Sequence, residues 1–422
     1  MKQRLRLFLI ALAAIGLLTG CGKEKEEDTS DEVGTTEQVA FDDVQVEDYS
    51  LLSYSELEVL AYEDDTKAQV MLGRILEYGT DDVKQDFTEA ISWYQMASDS
   101  GNIDGTCALG YFYLTGTGVD KDLDKAYELF SAAIDEGSIN AKVGLARVLL
   151  AQGDYEAIAE EALTADASST EFSGEAQDDT SETNVGTLDT AEAVDIDDTL
   201  VQIVDLLSTA QTAGDLDGAY YLGHIYEKGI GVSLDYKRAF DYYNRVSNSS
   251  STALYDRDAI NLSNIAIGLM YVKGIGVEED ANKALDYFTT ASENGSAKAN
   301  YYIGQMYENG IGVDRDYEQA MEYYLIAADY DYAPALNQIG YLYYNGYGVD
   351  VDFASAVYYQ KLAALQGYTI AQVNLGFLYE NGYGVERNLE TALSYYEMAA
   401  DSGYEGAMEA VVRVKAQINE EM

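Results

Sequence analysis

Residues 299–331 read ANYYIGQMYENGIGVDRDYEQAMEYYLIAADYD, and the marked positions answer the needs of two helices joined by a tight loop. Ala299, Ile303 and Tyr307 fall four residues apart and share one face of a first helix, while Gly304 leaves room for a neighbouring helix. Asn309 and Gly310 both tolerate the left-handed backbone that ends helices, and Gly312 completes the turn. Asp316 is placed to cap a second helix, with Gln319 as the reciprocal member of a capping box. Ala320, Tyr323, Tyr324, Ala327 and Ala328 then form a broad apolar stripe that packs back on the first helix.

A lone hairpin of this kind leaves its outer apolar face wet, so the pattern requires units that stack and share a core. Gly268, Gly304, Gly340 and Gly376 hold the same place in successive units, each 36 residues after the last. The recurring Leu/Ile-Gly-x-x-Tyr, Gly-x-Gly-Val and Ala-x-x-Tyr signatures resemble the Sel1-like repeat family, a longer-looped relative of the tetratricopeptide repeat, over most of residues 68 to 407. The resemblance implies an all-α, right-handed superhelical solenoid of about eight helix-turn-helix repeats, with a concave groove used mainly for protein contacts.

At the amino terminus, Lys2, Arg4 and Arg6 precede the apolar run Leu7 to Leu18, the layout of a secretory signal and too short for a full membrane span. Leu18-Thr19-Gly20-Cys21 resembles a bacterial lipobox, which makes residues 1–20 a lipoprotein signal peptide and Cys21 the expected lipidation site. The localisation that follows is export, with a lipid anchor on the outer face of the cytoplasmic membrane or on the outer membrane. Residues 21–50 are polar and acidic and read as a disordered tether. Residues 51–164 are assigned to a capping helix at Tyr54 to Glu63 and repeats one to three, the third degenerate from Ala141 on. Residues 165–199, rich in Ser, Thr, Asp and Glu, read as a disordered acidic insertion, residues 200–407 as the remaining repeats, and residues 408–422 as a carboxy-terminal capping helix. The alternative organisation is two repeat domains with 165–199 as their linker.

The formal charge of −50 makes nucleic acid and bare anionic lipid poor partners, and is itself accounted for by solubility of a tethered, exported chain. With Cys21 lipidated, Cys107 has no partner for an intramolecular disulfide, so repeat packing must supply the stability. His224 is the only histidine, which excludes a His-rich zinc site and a Ser-His triad. The Gly-x-Gly loops follow helices and carry aspartates, so they read as turns and not as phosphate cradles. Asp120, Asp122 and Asp124 alternate like the start of a calcium loop, but Lys125 and Ser131 stand where that loop needs Gly and Glu, so Asp122 reads as a helix cap. No cofactor, metal or catalytic group is expected.

Most of the 38 tyrosines read as core: Tyr113, Tyr226, Tyr271, Tyr307, Tyr343 and Tyr379 recur at one repeat position taken to be buried, as do the paired tyrosines of the second helices. Another face of the first helices varies from unit to unit. By the resemblance it lines the concave groove, presenting Tyr111, His224, Leu269, Gln305, Tyr341 and Phe377, flanked by Tyr220, Tyr301, Asn337 and Tyr344. The function expected is a non-enzymatic, membrane-anchored scaffold that binds an envelope protein or peptide. The alternatives are a wall-glycan binder using the aromatic groove and an envelope hydrolase with an unfamiliar site.

Overall fold

The repeated hairpin rests on a few local bonds. In residues 297–328 the first helix starts at Ser296, whose hydroxyl accepts from Ala299 N at 3.2 Å, and ends at Gly310 with φ 70°. Asp316 then caps the second helix by accepting from Glu318 N at 3.0 Å and Gln319 N at 3.1 Å. The expected capping box is only half formed there, because Gln319 Nε2 donates instead to Glu322 at 2.8 Å. A complete box stands at Ser53 and Glu56. The cap residue also closes the loop: Asp316 N donates to Tyr307 O at 2.9 Å, and Asp122, Asp235, Asp352 and Asn388 make the same bond to Tyr113, Tyr226, Tyr343 and Tyr379.

The computed structural model describes residues 49–80, 82–153, 198–251 and 256–421. The expected signal peptide, Cys21, nearly all of the tether and residues 165–197 of the insertion lie outside them. Tyr49 and Ser50, assigned to the tether, belong to a short 3-10 turn, and Asp198 and Thr199, assigned to the insertion, open a helix. Among the described residues there are eighteen α-helices and no strand. The chain divides into two compact units, Met1–Ala141 and Lys142–Met422.

The first unit holds α1 (Tyr54–Tyr62), α2 (Thr66–Tyr78), α3 (Phe87–Asp99), α4 (Ile103–Thr115) and α5 (Leu123–Asp135), and α6 (Asn140–Gln152) begins at the division. The second unit continues with α7 (Asp198–Thr212), α8 (Leu216–Lys228), α9 (Tyr236–Ser247), α10 (Arg257–Lys273), α11 (Ala281–Glu293) and α12 (Ala297–Asn309). It ends with α13 (Tyr317–Ala328), α14 (Ala333–Asn345), α15 (Phe353–Leu365), α16 (Thr369–Asn381), α17 (Leu389–Asp401) and α18 (Glu405–Glu421). Within each unit a helix packs chiefly on its neighbours in the chain, the stacking of a solenoid of tetratricopeptide-like hairpins. In α7 the core residues are Leu200, Ile203, Leu207 and Ala210, and Val201 faces outward. Pro334 stands inside the first turn of α14, at a position that needs no amide donor.

Each hairpin closes around one side chain of its second helix, set against the glycine of its first. Tyr94, Phe130, Tyr243, Phe288, Tyr324 and Tyr396 are fully buried there. A Cβ added at Gly304 would lie 2.5 Å from the Tyr324 ring, and one at Gly223 2.7 Å from Tyr243. Burying such a ring contributes about 2–3 kcal/mol before the entropy of ordering it. The hydroxyls are not left dry: Tyr94 donates to Glu77 at 2.7 Å, Tyr243 to Glu227 at 2.7 Å, Tyr396 to Glu380 at 2.9 Å, and Tyr324 to Glu308. Where the ring is phenylalanine the carboxylate is gone, Leu114 serving Phe130 and Val272 serving Phe288.

The expectation that the first-helix tyrosines are buried is corrected in part. Tyr226 is, but Tyr113, Tyr271, Tyr307, Tyr343 and Tyr379 are half-buried. Each from Tyr226 on stacks on the tyrosine just before the buried core residue of the second helix, Tyr242, Tyr287, Tyr323, Tyr359 or Tyr395, with centroids 5.6–5.9 Å apart and planes within 18°. The stacked rings sit at the boundary because the next residue of the second helix, Tyr243, Phe288, Tyr324, Gln360 or Tyr396, already fills the interior.

The second glycine of each Gly-x-Gly loop packs on the preceding repeat. Gly312 has φ 69°, and a Cβ there would meet Ala281 Cβ at 2.6 Å, so both backbone and space demand glycine. Asp331 adopts φ 55° where other repeats end the second helix with glycine, as its short polar side chain allows.

Candidate interaction face

Helical geometry puts the residue after the conserved-position glycine on the side of the first helix away from the ring it accommodates. In α14 and α16 that residue is Tyr341 and Phe377. Two further elements bring aromatics beside each of them. The middle residue of the Gly-x-Gly loop is Tyr347 after α14 and Tyr383 after α16, and the first residue of the preceding second helix is Tyr317 in α13 and Phe353 in α15.

These residues form two equivalent groups one repeat apart. Tyr347 stacks on Tyr317 with centroids 4.8 Å apart and meets Tyr341 edge-on at 6.1 Å. Tyr383 packs on Phe353 at 5.0 Å and on Phe377 at 6.0 Å. Tyr344 joins the second group, 5.5 Å from Phe353, 6.0 Å from Phe377 and 5.9 Å from Tyr383. The rings are half-buried, with Tyr347 38% exposed. At the same three places one repeat earlier stand Ala281, Gln305 and Ile311, and before that Tyr236, Leu269 and Ile275. Only the last two groups of the series described are wholly aromatic.

Of the remaining expected face residues two are interior and the others are half-buried. Tyr301 is 8% exposed and Asn337 1%, so both are interior and do not present themselves on this face. Tyr301 is enclosed by Tyr302, Tyr324 and Tyr332, and its hydroxyl accepts from Gln305 at 2.9 Å. Asn337 accepts from Asn374 Nδ2 at 2.9 Å, a bond between the first helices of adjacent repeats. Tyr220 is half-buried against Tyr221 and Tyr243, and Leu269 and His224, which follow their repeat glycines as Tyr341 and Phe377 do, are half-buried, Leu269 against the core around Phe288. Tyr111 belongs to the first unit, where its ring meets Phe130 edge-on and its hydroxyl donates to Asn140 O at 3.2 Å. Periodicity had no signal for Tyr317, Tyr347, Phe353 or Tyr383, which lie off the first helices; tyrosine in a loop position otherwise held by Ile or Thr was the available sign.

Burial, with Tyr347 beside it, pushes the Tyr341 hydroxyl up to about 12, and burial next to Tyr383 raises Tyr344, so both remain hydrogen-bond donors at neutral pH. Burial lowers His224, with Lys228 and Lys298 acting in the same direction against Glu227, which keeps the imidazole neutral. The Cys107 thiol is buried beside Ser138 at 3.2 Å, and burial raises it away from the reactive thiolate. Among the described residues no group of three or more His, Cys, Asp or Glu stands close enough to hold a metal ion. Asp122 accepts from Lys125 N at 2.9 Å as a helix cap.

The charge around the aromatic groups is one-sided. Residues 299–403 carry fourteen carboxylates and three cations, Arg315, Lys361 and Arg387. Lys361 lies over the Tyr379 ring at 5.5 Å, and Arg387 is paired with Glu421 at 2.9 Å. The face offers apolar rings, phenolic donors and surrounding negative charge, a combination suited to an uncharged or basic ligand and not to an anion. No helix among the described residues is long and apolar enough to cross a membrane.

Comparison with solved structures finds helical repeat proteins. A protective antigen of uropathogenic Escherichia coli with an SLR fold is 23% identical, with 87% of this chain and 68% of that chain covered and a TM-score of 0.42. A Sel1 repeat protein from Oxalobacter formigenes is 23% identical over 85% of this chain and 90% of that chain, with a TM-score of 0.48. An immunity protein from Pseudomonas aeruginosa is 21% identical over 47% of this chain and 73% of that chain, with a TM-score of 0.36. The family model of the Sel1 repeat matches residues 66–102, 103–138, 216–248, 262–296, 297–329, 333–368 and 369–404, leaving out the irregular third repeat. Repeats of this kind typically serve as protein-interaction scaffolds. The match spans more than half of the sequence, and the chain belongs to the Sel1 repeat family.

Proposed function

We propose that this protein is a non-enzymatic scaffold, held by lipid at the bacterial cell envelope, that recruits another envelope protein through the aromatic face of its last repeats. The observation that carries the reading is the pair of equivalent aromatic groups, Tyr317, Tyr341 and Tyr347 followed by Phe353, Phe377 and Tyr383. Large, stiff aromatic side chains give much contact area for little loss of conformational freedom, which suits them to anchoring a partner. Membrane attachment rests on the basic start, the apolar run Leu7 to Leu18 and Cys21. Replacing Cys21 by Ser should move the protein from the detergent phase to the aqueous phase, and unchanged partitioning contradicts the anchor.

The recognition reading is tested by retention from detergent-solubilised envelope and purified wall, with the full chain and its Tyr341→Ala, Phe377→Ala variant as paired baits. A defined protein retained by the first and lost by the second is the expected result. Retention of wall polymer alone replaces the protein partner with a glycan, for which the exposed, stacked Tyr347 is the favouring observation. Equal retention by both baits removes this face from the reading.

A further inference from the structure

A second surface lies on the other helix layer, on α15. It is the only second helix of the seven matched repeats without an aspartate or glutamate, reading FASAVYYQKLAAL in a chain with 75 acidic residues. The departure falls at two outward positions. Two residues before the buried core side chain, α13 has Glu322 and α11 has Asp286, but α15 has Tyr358, 59% exposed. Five residues after it, α13 has Asp329 and α17 has Asp401, but α15 has Leu365, 84% exposed.

Tyr358 and Leu365 stand seven residues apart, with half-buried Leu362 between them, and so make one continuous stripe along the helix. Its one cation, Lys361, is engaged over the Tyr379 ring. At the same outward positions α13 carries Glu322 and Asp329 and α17 carries Ser394 and Asp401, so three of the four neighbouring places are acidic.

We infer that the outer face of α15 docks a basic amphipathic helix of a partner protein, its apolar side on Tyr358 and Leu365 and its lysines or arginines on the acidic border. A second copy of this chain would bring two acidic borders together, and an anionic lipid surface would be repelled by the same charges. This face is separate from the aromatic face of the first helices, so either can fail without the other.

The test uses a labelled synthetic sixteen-residue peptide of leucine and lysine at helical spacing, titrated with the full chain and read by fluorescence anisotropy. The variant is Tyr358→Glu, Leu365→Asp, which restores the residue types that α13 carries at these places and adds two negative charges. Docking on the stripe predicts binding about tenfold weaker in the variant. Attraction by charge alone predicts equal or tighter binding, which overturns the inference. So does equally tight binding of a leucine and glutamate peptide, or a wild-type dimer in sedimentation that the variant abolishes. Binding to phosphatidylglycerol vesicles that the variant loses, without a loss of peptide binding, also overturns it. If the double variant unfolds, Leu365→Asp alone keeps the test, since that side chain is almost wholly in solvent. The Tyr341→Ala, Phe377→Ala variant should bind the peptide as the wild type does.

Discussion

The fifth and sixth matched hairpins, α12–α13 and α14–α15, differ from the hairpin before them, α10–α11, in what their interiors hold, and the difference separates two kinds of variation. In α10–α11 the buried ring is Phe288 and the facing residue Val272, whereas in α12–α13 the ring is Tyr324 and the facing residue Glu308. In α14–α15 the ring is replaced by Gln360, whose Nε2 donates to Asn337 O at 3.1 Å, and the facing residue is Tyr344. The buried tyrosine and its carboxylate change together, because a buried hydroxyl without an acceptor costs about 1–3 kcal/mol, and where Gln360 replaces the ring Tyr344 packs instead on Phe353 and Phe377. The three aromatics of each face group change together through ring packing and not through a buried hydrogen bond, and the changes on the outer side of α15 have no partner change. Variation tied to a buried hydrogen bond marks architecture, and variation free of one marks the surfaces proposed above for recognition.

The largest expected effect breaks a pair. Glu308→Ala strips the acceptor from both Tyr324 and Gln338 and opens a cavity, and should destabilise the chain by about 3 kcal/mol in urea unfolding. Val272→Ala, its counterpart beside Phe288, removes only methyl groups at a half-buried site and should cost about 1 kcal/mol. Equal losses would deny that Tyr324 depends on its carboxylate.

Next in size is a pair of glycines. Gly304→Ala drives a methyl group to 2.5 Å from the rigid Tyr324 ring and should cost about 2–3 kcal/mol. Gly340→Ala meets the end of Gln360 at 2.7 Å, an unbranched side chain able to give way, and should cost about 1 kcal/mol. Thermal unfolding of the two variants side by side decides whether the ring or the glycine sets the helix spacing.

The smallest effects are in pH dependence, where two buried carboxylates have opposite signs. Burial raises Glu308 above its ordinary 4.5, against the hydrogen bonds from Tyr324 and Gln338. Folding therefore favours its protonated form, and its contribution is fullest below 4.5 and falls as pH rises through the folded value. Burial also acts to raise Glu380, but hydrogen bonds from Arg413 and Tyr396 and the Arg413 charge outweigh it and hold the group below 4.5. Its contribution is present above 4.5 and is lost as pH falls through the folded value. Melting curves from pH 3 to 7 should show Glu308→Gln gaining on the wild type as pH rises, and Glu380→Gln losing to it, by a few degrees each. Parallel curves for the two variants would deny the difference.

The helices, their caps, the glycine positions and the stacking of units are legible in the sequence because each depends on local geometry that recurs. The Tyr and Glu pairing is also written there, since Glu follows the repeat tyrosine at Glu227, Glu308 and Glu380 and is absent where the ring is Phe288. Reading tyrosine as core by its ring alone passes over the hydroxyl, and so over the partner. Tyr301 and Asn337 were placed beside the face by the resemblance, which carries over a helix face but not the side chains that the next repeat brings against it. The structure brings Tyr332 to 5.6 Å from the Tyr301 ring and Asn374 onto Asn337, and both positions close. Tyr347 and Tyr383 reach the face from loops, where helical periodicity carries no information.

The most direct test of the account sets an interior swap against a face truncation. The Tyr324→Phe, Glu308→Val chain installs the pair of the preceding hairpin and changes nothing on the face, while Tyr341→Ala, Phe377→Ala removes two face rings. Retention of an envelope protein by the immobilised chains is the measurement, with melting temperature as the control for folding. The interior swap should retain the partner as the wild type does, and the face variant should lose it by about tenfold or more. Loss of the partner by the folded interior swap, with retention by the face variant, would contradict it.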